Sequence, residues 1–126
     1  MKITECYGLP FVTIAIEFRG QRLCLDKVLI DTGSASTLLN ADIVRAIGII
    51  PEKDDIVDTI RGVGGVEYVY TKNVNSISIG EAVTLDFQVE IGNMDYGMEM
   101  QGIIGFNLLK RIGAKIDVDA MEIIVD

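Results

Sequence analysis

The stretch VLIDTGSAST (residues 28–37) runs a few apolar residues straight into an aspartate followed by Thr, Gly, Ser, Ala, Ser and Thr. The apolar residues read as a buried strand, and a carboxylate at the end of such a strand is costly unless it is hydrogen-bonded. The residues after it offer the remedy: small side chains, exposed backbone N–H groups and hydroxyls. Gly33 lets the chain turn sharply and another backbone approach. The sequence contains no histidine, which removes Ser-His and Cys-His catalysis and most zinc and iron sites. Any catalysis must use carboxylates, Lys, Tyr or backbone groups. Taken alone, Asp-Thr-Gly is more often a turn or capping carboxylate than a reactive one, so the rest of the chain must decide.

The 126 residues are expected to form one domain over 1–126, since a single core serves roughly 100–200 residues. With 49% hydrophobic and 24% charged residues, the composition is that of a soluble globular chain with a proper core. No apolar run approaches the roughly 20 residues that span a bilayer, so no membrane partner is expected. The segment MKITECYGLP lacks a secretory h-region, which makes the cytoplasm the default location. Cys6 and Cys24 are expected to be buried, reduced and without function. A net charge of -8, with the 11 basic residues scattered, argues against nucleic acid as a partner, because phosphate binding needs clustered Lys and Arg.

Short alternating segments punctuated by Gly indicate an all-β domain. FVTIAIEF (11–18) and QRLCLD (21–26) form a hairpin about Arg19-Gly20; further strands are expected at 56–61, 66–72, 74–79, 83–91, 114–118 and 121–125, with turns at Gly80-Glu81 and Asp119-Ala120. Two helical segments interrupt them. In NADIVRAIG, Asn40 can cap the start and Gly48 the end; in NLLKRIG, Asn107 and Gly113 occupy equivalent places. Each follows an apolar strand-like stretch, which suggests a weak internal duplication and a pseudo-symmetric barrel.

VLIDTGSAST (28–37) together with GIIGFNLLKRIG (102–113) resembles the signature pair of the retropepsin-like aspartic proteases. Between them, IRGVGGVEYVYT (60–71) is similar to that family's glycine-rich flap hairpin. The three motifs occur in the right order, and the resemblance covers most of the chain. It implies a closed acid-protease barrel with one or two short helices and a flap hairpin, forming one half of a two-fold dimeric enzyme. Such chemistry needs two carboxylates sharing one proton, and this chain carries a single Asp-Thr-Gly, so a homodimer is implied. By motif position, Asp31 is the catalytic carboxylate, Thr32 braces the paired loops across the axis, and Gly33 leaves room for substrate and accepts its backbone N–H. Ser34 is expected to donate its hydroxyl to the outer oxygen of Asp31. Gly105 should pack against the catalytic loop, and the apolar GIIG run (102–105) should be buried. Gly62, Val63, Gly64 and Gly65 form the flap tip, and DYGMEMQ (95–101), with Met98 and Met100, lines side-chain pockets.

The implied activity is an aspartic endopeptidase acting on extended peptide segments, with no metal and no organic cofactor. The alternative is a catalytically silent dimeric protein- or peptide-binding module on the same fold. Blander roles remain open for several residues: Met94, Met98 and Met100 can equally fill core gaps, and Tyr68 and Tyr70 can be cross-strand packing. Asp117 and Asp119 in AKIDVDAM read as strand-end and turn residues. The Met start without polyprotein flanks suggests a free-standing, prokaryotic relative, and the terminal segments match the retroviral dimer-forming termini poorly.

Overall fold

A computed structural model describes residues 1–62 and 65–125. The strands are β1 (Thr4–Cys6), β2 (Leu9–Phe18), β3 (Gln21–Ile30), β4 (Leu38–Asn40), β5 (Val57–Gly62), β6 (Gly65–Ile79), β7 (Ala82–Gly92), β8 (Gly102–Ile104), β9 (Lys115–Asp117) and β10 (Glu122–Ile124). Eight of them form one sheet in the order β1-β2-β3-β8-β4-β7-β6-β5, and a further β2–β6 pairing joins its two halves. Strands β2, β3, β8, β4, β7 and β6 thus make a closed ring, the mostly-β architecture expected.

Closure relies on long strands that change partners along their length. One edge of β2 meets β1 around Leu9 and Phe11 and then β6 around Ala15–Glu17. Strand β6 does the converse, pairing with β2 through Ser76–Ser78 and with β5 through Gly65–Tyr70. Its leading half therefore leaves the ring as a hairpin with β5. The sequence suggested two strands here, at 66–72 and 74–79, but the structure has one. The two run on through Asn73, and Lys72 beside it is satisfied by Glu52 and Asp55 of the loop before β5. Likewise, 21–26 and 28–30 join into β3 through Lys27, whose left-handed backbone (φ 50°) absorbs the kink.

Period-2 alternation divides the apolar residues between two cores. Val28, Ile30 and Ile104 enter the larger cluster, with Ile16, Leu25, Leu39 and Ile91 fully enclosed there; Leu29 and Ile103 face the other way, onto Phe11, Leu38, Val69, Met94 and Met100. Each fully buried large aliphatic side chain contributes about 1.5–3 kcal/mol, so the larger cluster dominates stability.

Helix α1 (Ala41–Val44) continues as a 3-10 turn over Arg45–Ile47; Asn40 Oδ1 accepts from Asp42 N at its start and Gly48 (φ 83°) ends it. Helix α2 (Phe106–Ile112) ends at Gly113 (φ 65°) but starts two residues earlier than expected, with Gly105 and not Asn107 at its N-cap. Strands β9 and β10 pair with each other, and β10 pairs in turn with the first residues of the same chain: Ile3 N donates to Met121 O and Ile123 N to Met1 O. The cysteines are free, Cys6 half-buried and Cys24 exposed. Cys6 packs at the edge of the smaller core, whereas Cys24, expected buried, is exposed on β3. Among the described residues no helix is long and apolar enough to cross a membrane.

An ion cluster ties the loop before β5 to the ring. Lys72 Nζ, on a side chain 4% exposed, lies 2.5 Å from Glu52 Oε1 and 2.8 Å from Asp55 Oδ2. Arg19, at the β2–β3 turn, grips both oxygens of Glu52 at 2.9 and 3.2 Å. Hydrogen bonds from Arg19 and Lys72 hold the Glu52 carboxyl down at about 2, and a hydrogen bond from Lys72 lowers that of Asp55. Burial works to lower the Lys72 ammonium, but Asp55 and Glu52 outweigh it and raise it. A carboxylate depressed in this way stabilises the fold above its unfolded pKa, and the contribution fades as pH falls through the folded value. Glu52→Gln should therefore lower the melting temperature at pH 7. The gap between parent and variant should narrow between about pH 4.5 and about 2, as followed by thermal melts across that range.

Candidate active site

Asp31 leaves the end of β3 where that strand runs parallel to β8, with Val28, Leu29 and Ile30 beside Gly102, Ile103 and Ile104. Its backbone N donates to Ile104 O at 2.9 Å, and Ser34 N returns to Asp31 O at 3.2 Å. The carboxylate is half-buried, and its Oδ1 accepts from Gly33 N at 2.9 Å. A β-carbon on Gly33 would lie 3.3 Å from that oxygen, so the bare Cα keeps the space beside the carboxylate open. Thr32, Gly33 and Ala35 are exposed. The Ser34 hydroxyl donates to Ser36 O at 2.8 Å. This corrects the expected bond to the outer oxygen of Asp31: the tight loop puts the Ser36 carbonyl within nearer reach.

The β8–α2 corner locks this loop. A β-carbon on Gly105 would fall 2.0 Å from Ser36 O, 2.5 Å from Ser36 C and 2.8 Å from Ser34 O. These are backbone atoms that cannot step aside, so only glycine fits. The contact closes with Phe106 N donating to Ser34 O at 2.6 Å. Thr37 Oγ1, fully buried, accepts from Gly105 N at 3.2 Å and donates to Asn107 Oδ1 at 2.9 Å. Asn107, expected as a helix cap, instead sits in the first turn and braces Thr37.

Beside Asp31 lies the smaller apolar cluster. Leu29 and Ile103, register partners across β3 and β8, are half-buried on its face. Ile60 and Val69 from the β5–β6 hairpin pack onto the same cluster, so the hairpin stem leans over it. The backbones of Gly62 and Gly65 pair at the hairpin's end; Val63 and Gly64 lie outside the described residues. Among the described residues no group of three or more His, Cys, Asp and Glu is placed to hold a metal.

The family model described as "gag-polyprotein putative aspartyl protease" matches residues 14–111, a span that holds the β2–β3 turn, the Asp31 loop and the Gly105 corner. The chain belongs to that family. Its fold is that of a crystal structure of a retropepsin-like aspartic protease from Rickettsia conorii, with a TM-score of 0.70 over 98% of this chain and 97% of that one at 19% identity. No curated protein matches the sequence.

Within this retropepsin-like chain, Asp31, Thr32, Gly33 and Ser34 share one loop, and the hairpin carrying Gly62 and Gly65 rises from the neighbouring cluster. The methionines divide. Met94 and Met100 are 3% and 5% exposed and fill the smaller core, while Met98 is half-buried at its edge. Met100, expected as a pocket wall, is therefore a packing residue, since it lies beneath the surface such a wall would form. Tyr68 is 74% exposed, whereas Tyr70 packs on the larger core. Leu29 and Ile103 received no site role from the sequence, Ile103 being expected buried with the rest of the GIIG run where it is half-buried on this face, and Thr37 received none either. The first two follow from alternation carried through both apolar runs, but a hydroxyl six residues after the aspartate gives no pattern.

Thr37→Val keeps the shape at position 37 and removes the hydroxyl, leaving Gly105 N without its acceptor. The loss should be about 1–3 kcal/mol, measured by denaturant unfolding, and Thr37→Ser should recover most of it.

Proposed function

We propose that this chain is one half of an aspartic endopeptidase, active as a homodimer in which two Asp31 carboxylates meet across a two-fold axis. The observation that carries the reading is the Asp31 loop: a carboxylate anchored by Gly33 N–H, open on its outer side, set beside an apolar face and held by the Gly105 corner. Family membership and the shared fold support it. One chain supplies one carboxylate to this surface, so the site is complete only with a second copy.

Two carboxylates about 3 Å apart cannot both ionise easily and share one proton. The ionised one takes a proton from a water held between them, and the water oxygen attacks the scissile carbonyl carbon. The protonated one donates to the carbonyl oxygen as it becomes a hydroxyl. Collapse of the tetrahedral adduct breaks the C–N bond, with a proton passing to the leaving amine. Leu29 and Ile103 give an extended peptide an apolar wall beside the reacting bond, and the β5–β6 hairpin closes over it and excludes water. Cleavage distinguishes this reading from a silent peptide-binding module, which would bind such peptides and leave them intact.

Asp31→Asn keeps the Gly33 N–H acceptor but cannot act as a base, so it should lose orders of magnitude in peptide cleavage with an unchanged melting temperature. Excess Asp31→Asn chains should poison the parent through mixed pairs. Undiminished cleavage by the variant, or activity strictly proportional to concentration down to a demonstrably monomeric solution, would overturn the assignment.

The same geometry revises what Ser34 should do. Its hydroxyl is committed to Ser36 O, so Ser34→Ala should leave the pH profile of kcat/KM in place while lowering stability by about 1 kcal/mol. A profile displaced upward would instead indicate that the hydroxyl turns to Asp31 in the working enzyme.

A further inference from the structure

One carboxylate on the hairpin is unlike its neighbours. Glu67 lies on the inner, half-buried face of β6, opposite Ile60 and two positions from Gly65. Its Oε1 accepts from Met94 N at 2.9 Å and its Oε2 from Tyr96 Oη at 2.6 Å. The receiving turn is shaped for it. A β-carbon on Gly92 would come within 2.6 Å of Oε1, so the bare Cα is what leaves the carboxylate its seat. Met94 holds a left-handed backbone (φ 56°), a conformation uncommon outside glycine, while its N–H meets that oxygen. Burial and the Glu67 carboxylate together hold the Tyr96 phenol well above its usual range.

We propose that Glu67 is a positioning residue: its carboxylate clasps the 92–96 turn and sets how closely the hairpin stands over the apolar face beside Asp31. The inference rests on the protease reading for its kinetic consequence but not for its structural one. Met94 also fills the smaller core beneath that face, so the clasp couples the hairpin to the floor on which substrate would lie. Opening the hairpin exchanges two charge-assisted hydrogen bonds for bonds to water, a modest step that a hairpin close to its tip can take repeatedly.

The test is amide hydrogen exchange of the hairpin in the full-length protein, together with steady-state cleavage of a peptide that the parent cleaves. Glu67→Ala should speed exchange of the β5 amides and those of residues 66–69 roughly tenfold, with β2 and β7 unaffected. It should raise KM several-fold with a smaller change in kcat, because a hairpin held less closely weakens binding before it alters the carboxylates. Glu67→Gln keeps an oxygen for Met94 N–H and should restore most of both. Tyr96→Phe, which removes one donor and keeps the ring, should give a smaller effect in the same direction and serves if the alanine variant does not fold. Hairpin exchange unchanged in Glu67→Ala and Tyr96→Phe, or raised equally throughout the ring, overturns the proposal. Absence of cleavage by the parent itself would instead remove the protease reading, and the exchange result would still decide the clasp.

Discussion

Two pieces of backbone pass within contact distance at Gly105, and the rest of the site depends on that approach. The loop after Asp31 carries carbonyls at Ser34 and Ser36 that turn inward and need donors or clearance. Phe106 N supplies the donor for the first, and the missing side chain at 105 supplies the clearance for the second. An unpaired buried backbone group costs free energy comparable to a lost hydrogen bond, so loop and corner stabilise each other and neither holds its shape alone. Thr37 makes the contact specific. Its hydroxyl uses acceptor and donor capacity at once, toward Gly105 N and Asn107 Oδ1, and valine would satisfy neither.

That contact arises because β3 and β8 lie side by side and parallel. Parallel neighbours end at the same edge of a sheet, which is why the Asp31 loop and the Gly105 corner emerge together although 74 residues separate them in the chain. The same pairing sets the polarity of the surroundings. Val28, Ile30 and Ile104 point into the larger core and fix the strands, whereas Leu29 and Ile103 point out beside the carboxylate. A single alternation thus separates residues that hold the loop from residues that line the face beside it.

The local signals were the legible part. Alternation marked the β2–β3 hairpin, Asn40 and Gly48 bounded the first helix, and the Asp-Thr-Gly and Gly-Ile-Ile-Gly runs marked the two parts that meet. What the sequence hid was long-range. The break expected at Asn73 does not exist: β6 runs through it, and Lys72 beside it finds its partners about 20 residues earlier, in a loop with no regular pattern. Asn107 looked like a cap because its side chain is drawn sideways to Thr37, a partner 70 positions away. Ser34 was assigned to Asp31 by motif position, yet a carbonyl two residues on was closer. Glu67 received no role, since nothing in its neighbours announces Gly92, Met94 or Tyr96.

The hairpin is tied to the body by ion pairs at its root and by Glu67 nearer its tip, with Ile60 and Val69 packed on the smaller core between them. At its root, the loop leading into β5 is fastened through Glu52 and Asp55 to Lys72, a nearly enclosed ammonium. Withdrawing both carboxylates would leave that cation without its partners, so the cluster holds the root more firmly while these carboxylates are ionised. Near the tip, Glu67 gives up two hydrogen bonds at the margin of solvent, where water replaces them at little net cost. Between the two ties, Tyr70 still packs on the larger core, while Tyr68 and Val66 are exposed. The rung joining Ile60 to Glu67 is therefore the last one held on both sides, by the smaller core and by the 92–96 turn. Beyond it the Arg61–Val66 and Gly62–Gly65 rungs lead to the tip, with Val66 exposed.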